Sequence, residues 1–193
     1  EWQGYGNPSG RFLFIGMEEG GSPPLAELIA RADLWQPIED LAAAPRPWPN
    51  NFTLDKSITA VWDGACRIVG WLSGCPDWNE SDFVRRYRST RFGRRDGETF
   101  LTEVLPLPKR RSTDWPYQAL WPTRQEYEEE VRPTRLKMLR ELYEAHRPEF
   151  AFCYGIRHWR DNEYYQQIFK GREFVPLVDR EAQISISDGS TVV

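Results

Sequence analysis

Short apolar runs alternate with amphipathic stretches along this chain, and glycine or proline marks most of the changes between them. "RFLFIG" (Arg11 to Gly16) is too short for a helix and ends at glycine, which predicts a buried strand. "PPLAELIARADLW" (Pro23 to Trp35) follows a glycine-rich turn and has proline where a helix begins, so it predicts a helix. A second helix is expected over Thr59 to Gly74 after the proline-rich loop "RPWPNNF", and a second strand over Glu98 to Pro108. Helical spacing runs from Arg124 to His146, with Pro133 expected to break that helix or to open a second one. "EFAFCYG" (Glu149 to Gly155) predicts a third strand. "REFVPLV" and "AQISISDGSTVV" predict further strands, the latter folded at Asp188-Gly189. Strands separated by helices imply an α/β fold with three layers, α/β/α, around a central, mainly parallel sheet.

With 193 residues, the chain has the length of a single domain spanning residues 1–193. No internal repeat, low-complexity tract or linker interrupts it. No apolar run approaches a membrane span, and the N-terminus lacks the basic-then-apolar pattern of a signal peptide, so a cytoplasmic protein without membrane contact is expected. Cys66, Cys75 and Cys153 are too few and too scattered for a disulfide framework, a structural metal or an iron–sulfur cluster, and neither metal nor cofactor is called for. The net charge of -4 argues against indiscriminate coating of nucleic acid, but local charge is uneven. Arginines crowd "RRYRSTRFGRRDG" (Arg85 to Gly97), and Lys109, Arg110 and Arg111 form a second basic cluster. Nine tryptophans are unusual at this length, and Trp and Arg together are the residues that stack on bases and sugars.

In open parallel sheets, ligands bind beyond the carboxyl ends of the strands. Three segments should meet there: "GMEEGGS", "TEVLPLPKRR" and "CYGIRHW". Their order and spacing resemble those of the uracil-DNA glycosylase superfamily, in which the first strand ends in a G-x-[DN]-P-[YG]-type loop, the second carries a T-N-V-like stretch and the third ends near a glycine. The resemblance covers most of the chain. It implies a base flipped out of the duplex and hydrolysis of its N-glycosidic bond, leaving an abasic site, by a monomer that binds DNA containing a modified or deaminated base.

Carried over residue by residue, the resemblance puts Glu18 where relatives have a catalytic Asp or Asn, with Glu19 as substitute. A carboxylate there can stabilise an oxocarbenium-like sugar and orient the attacking water. Glu19 also suits the start of the following helix. Gly16, Met17, Gly20 and Gly21 would border the base. Gly20 falls where strict uracil enzymes carry a tyrosine against C5 of the pyrimidine, so its lack of a side chain implies room at C5. Tight turns also favour glycine at such positions. Glu103 replaces the asparagine of T-N-V; an ionised glutamate only accepts, which fits the N4 amino group of cytosine and repels O4 of uracil. Pairing of Glu103 with Lys109 or an arginine is the structural alternative.

Together Gly20 and Glu103 imply a C5-substituted cytosine: hydroxymethylcytosine or its glucosylated form, as in phage DNA, with a role in antiviral defence. Exposed tryptophans such as Trp35, Trp48 or Trp115 would suit a sugar on such a base. Alternatives are excision of uracil or 5-substituted uracil in repair, a non-catalytic reader of modified DNA, and an enzyme of free nucleotides. His158, beyond the third strand, is a candidate base contact, and His146 suits a helix end. Lys109, Arg110, Arg111 and Arg157 are candidate contacts to the DNA backbone. The family also places an H-P-S-like loop after its last strand; the sequence here runs to "GSTVV". No lysine lies in the first loop, so no Schiff-base step is expected.

Overall fold

The computed structural model describes residues 2–21, 24–43, 60–109, 114–155, 164–176, 183–187 and 189–193. In chain order its strands are β1 (Gly4–Gly6), β2 (Phe12–Gly20), β3 (Ile38–Glu39), β4 (Thr99–Lys109), β5 (Phe150–Cys153), β6 (Val175–Pro176), β7 (Gln183–Ser187) and β8 (Ser190–Val192). The helices are α1 (Leu25–Ala32), α2 (Ala60–Leu72), α3 (Ser81–Thr90), α4 (Arg124–His146) and α5 (Tyr164–Ile168). The eight strands form one sheet in the order β3-β1-β4-β2-β5-β8-β7-β6. Its centre, β4-β2-β5-β8, is parallel, and antiparallel pairs flank it at β1–β4, β8–β7 and β7–β6.

Alternation along β2 assigns the layers. Phe12 and Phe14 face α2 and α3, in a core with Cys66, Val69, Phe83 and Val84. Leu13, Ile15 and Met17 face the other way, onto Leu136, Leu139 and Tyr143 of α4 and Ile168 of α5. β5 keeps the same register, so Phe12 stacks on Phe150 and Phe14 on Phe152 at ring separations of 5.5 and 5.2 Å. This is the three-layer α/β fold expected from the alternation of strands and helices.

One expectation needs correction. Pro133 does not break α4, which runs unbroken from Arg124 to His146. Glu129, whose carbonyl loses its partner opposite proline, is exposed, and a capping box at Thr123 with Glu126 holds the first turn. The buried face of Tyr127, Arg135, Leu136, Leu139 and Leu142 holds the rest against the sheet. The arginine-rich stretch begins in a helix, α3. Ser81–Thr90 is helical, with Phe83, Val84 and Tyr87 buried.

From β2 the chain crosses to β4 on one side, whereas from β5 it crosses to β8 on the other. The connections leaving β2 and β5 therefore part, and a crevice opens beyond the carboxyl ends of these neighbouring strands.

Candidate functional site

That crevice is a cavity of about 470 Å3 bordered by residues from β2 and its exit (Glu18, Glu19, Gly20, Gly21), β4 (Leu101, Thr102, Glu103), the end of β5 (Tyr154), α2 and the N-terminal segment (Trp2, Tyr5). Most of the lining is aromatic or aliphatic. Three carboxylates border it.

Glu103 is set by strand pairing. Gly16 lies opposite Glu103 in the β2–β4 register, and Tyr154 follows β5 on the other side of β2, so both side chains converge over Gly16. The Tyr154 hydroxyl donates to Oε1 of Glu103 at 3.0 Å. A Cβ on Gly16 would stand 2.0 Å from Glu103 Oε2 and 2.5 Å from the Tyr154 hydroxyl, so the pair exists because residue 16 has no side chain. Glu103 Oε2 is sealed from solvent and has no hydrogen-bond partner among the described residues. Burial pushes the Glu103 carboxyl up to about 8, Glu19 and Glu18 adding to the rise while Tyr154 and Arg135 oppose it. The expectation of an ionised Glu103 is thereby corrected: near neutral pH the group is mainly a carboxylic acid, which donates as well as accepts. It pairs with a tyrosine, not with Lys109.

Glu18 is held differently. Its Oε2 receives Lys109 Nζ at 2.9 Å and its Oε1 receives Arg124 Nη2 at 3.2 Å. Arg124 also pairs with Glu128, which pairs with Arg132, whose guanidinium donates to the Tyr164 hydroxyl at 2.6 Å. Glu18 thus ends a line of alternating charges running along the first turns of α4.

Comparison with protein-family models and with curated proteins gives no match.

The structure sorts the remaining candidates. Glu19, Gly20 and Gly21 border the cavity, and a Cβ added at Gly20 would meet no atom of the described residues within 4 Å. Met17 is corrected as a base contact: alternation turns its side chain into the α4 core. Lys109 is corrected as a backbone contact. Its side chain is 2% exposed and turned inward to Glu18, because β4 carries it beyond two prolines to lie opposite Gly20. Arg110, Arg111, Arg157 and His158 lie outside the described residues, as does Trp48.

The arginines near α3 are engaged with acids or carbonyls: Arg86 with Asp77, Arg88 with Asp63, Arg94 with Asp40 and Arg95 with the Ile38 carbonyl. Trp35 stacks on Trp2, and Trp115 packs on Tyr127 while donating to the Trp121 carbonyl, so neither is an exposed platform for a sugar. His146 ends α4 within 3.0 Å of the Ser9 hydroxyl.

Four residues were not singled out from sequence: Trp2, Arg124, Arg135 and Tyr154. Tyr154 had a signal, since it continues the alternation Phe150, Phe152 one step past the strand. Arg135 is 1% exposed; it donates to the carbonyls of Trp2 and Glu103, and to Thr102 Oγ1, while its guanidinium lies 5.5 Å from the Trp2 ring. Nothing in the spacing of the chain announces a contact spanning residues 2 and 135. Among the described residues no cluster of His, Cys, Asp or Glu could hold a metal, and no helix is long and apolar enough to cross a membrane.

Proposed function

We propose that the protein is a DNA glycosylase that flips a C5-substituted cytosine into the crevice and hydrolyses its N-glycosidic bond. One observation carries this reading: Glu18, Glu19 and Glu103 border a single cavity at the switch point of the sheet, with open space over Gly20. The volume lies within the range of small-molecule sites and leaves room beyond a bare pyrimidine. A carboxylate at the mouth offsets the positive charge that builds on the sugar as the C1′–N1 bond breaks. The bond's electron pair leaves with the base, water bonds to C1′, and the water's proton passes to the carboxylate. A neutral acid deeper in the cavity suits the negative charge on the departing base. Flipping costs a few kcal/mol, roughly, which the aromatic lining would offset by packing on the base.

Glu18 is the residue assigned to the sugar, with Glu19 as substitute. Its pairing with Lys109 and Arg124 balances its charge and favours one alternative, a reader that binds the flipped base without cutting it. Mass spectrometry of bases released from duplexes carrying cytosine, uracil, hydroxymethylcytosine or glucosylated hydroxymethylcytosine separates the two. Release of a C5-substituted cytosine, abolished in Glu18→Gln, is the expected result. Tight binding with no abasic product in either protein would establish the reader. Gly20→Tyr, which fills the open space, should abolish action on the C5-substituted base while leaving the fold intact; unchanged activity would remove the argument from C5.

A further inference from the structure

Pro106 and Pro108 stand between Leu105 and Lys109 at the end of β4, and proline has no N–H to give to a neighbouring strand. β2 passes this stretch in one residue, since Glu18 lies opposite Leu105 and Gly20 opposite Lys109, so residues 106–108 bulge from the sheet. Two tyrosines take the polar groups that the bulge frees. Leu107 N–H donates to the Tyr127 hydroxyl at 3.2 Å, and the Tyr117 hydroxyl donates to the Pro108 carbonyl. Both tyrosines are buried. Trp115 packs on Tyr117 at 5.4 Å and on Tyr127 at 5.2 Å, and Trp121 packs on Tyr127 at 5.0 Å. Beyond the bulge the strands rejoin, and Gly21 N–H donates to the Lys109 carbonyl at 3.3 Å.

From this place Lys109 reaches back to Glu18, their side chains 2% and 15% exposed. Burying an ion pair is a poor source of stability, because taking both charges out of water costs about what their attraction returns. A pair of apolar side chains would close the sheet as well. What the ion pair adds is a fixed carboxylate at the border of the cavity. Lys109 on Oε2 at 2.9 Å and Arg124 on Oε1 at 3.2 Å hold the group at both oxygens and favour its ionised form. We infer that Lys109 is a positioning residue for Glu18, and that the Pro-Leu-Pro bulge bracketed by Tyr117 and Tyr127 is the device that places it. The inference rests on the function proposed above, in which Glu18 meets the sugar, and adds the residues that aim it.

The charged and titratable groups that act on Glu18 are Lys109 and Glu103 of β4, Arg124 of α4 with Glu128 behind it, Tyr127 of α4, Tyr117, and its chain neighbour Glu19. Carbon-13 NMR of the full chain labelled at its glutamate carboxyls, with Glu18 assigned from Glu18→Gln, follows the titration of this one group. In Lys109→Met the Glu18 midpoint should move to higher pH, and in Lys109→Arg, which keeps the charge, it should stay near the wild-type position. Tyr127→Phe should move it in the same direction by less, which keeps the test open should Lys109→Met not fold. Base release from a duplex carrying 5-hydroxymethylcytosine should be about tenfold slower in Tyr127→Phe, through kcat with KM unchanged, because the bulge loses one of its two ties while the cavity lining stays intact.

A Glu18 midpoint that stays in place in both Lys109→Met and Tyr127→Phe overturns the inference. So does a Tyr127→Phe that releases base at the wild-type rate, or one whose rate falls only in proportion to the fraction folded. If the wild type releases no base, the titration decides alone: a midpoint that moves keeps Lys109 as the residue that aims Glu18 in a reader, and the glycosylase reading falls by itself.

Discussion

Glu18 and Glu103 stand on neighbouring strands of one sheet and border one cavity, yet the protein treats them in opposite ways. Glu18 meets a lysine and an arginine, so its charge is balanced where it stands. Glu103 meets a phenol and a wall of buried carbon, so its charge is suppressed instead. The difference arises from where each strand ends. β2 carries Glu18 to the level of Leu105, near the end of β4 and the start of α4, from which Lys109 and Arg124 bring cations. Glu103 lies a turn of the pleat deeper, opposite Gly16, where the Tyr154 hydroxyl meets it. One site thus holds an ion-paired carboxylate and a buried carboxylic acid.

The sharpest way to break this contrast is to remove the buried cation. Lys109→Met leaves Glu18 with Arg124 alone, and the loss in unfolding free energy by chemical denaturation should be about 3 kcal/mol. Adding Glu18→Gln to that variant should restore part of it; no recovery would mean that the pair does not couple the two residues. A pH effect on stability is of comparable size. Glu103 holds its proton more tightly folded than unfolded, since its folded midpoint lies near 8 against an ordinary carboxyl near 4.5. The folded state then binds the extra proton between those values, so stability falls as pH rises from about 5 to 8, by about 1.4 kcal/mol per unit, and levels off above.

Glu103→Gln should flatten that segment of the curve and leave the rest unchanged, which urea unfolding at several pH values would show. The smallest effect belongs to Tyr154→Phe. Removing the phenol that favours the ionised form should move the Glu103 midpoint upward, measurable by difference infrared spectroscopy of the carboxyl, while lowering stability by about 1 kcal/mol.

Much of the scaffold was legible in the chain because the central strands are apolar runs bounded by glycine or proline and the long helices show regular spacing. β1 and β3 escaped because a few residues cannot display a period. α3 escaped because arginines fill its outer face and draw the eye from Phe83, Val84 and Tyr87 within. At the site, strand ends could be read directly, so Glu18, Gly20 and Glu103 were visible as neighbours of a crevice. Lys109 was visible only as a charge, and sequence has no term for the direction in which a lysine turns. The state of Glu103 was hidden for a similar reason: it depends on Gly16 of the neighbouring β2 and on Tyr154 just past β5, one strand further, and on how completely they exclude water. Trp2 and Arg135 meet only in the folded chain.

The bond from Arg135 to the Trp2 carbonyl has a consequence in time as well as in space. Trp2 is tied to the sheet through β1, through the Thr102 hydroxyl on the neighbouring Gln3 carbonyl and through Arg135, whereas Glu103 sits in the sheet's middle. Segments at a sheet's flank open more often than central strands do. Each opening there would part the wall of the cavity on the Trp2 side and leave Glu103 in place, so the rate at which the cavity exchanges its contents would follow β1 and not the slow core behind it.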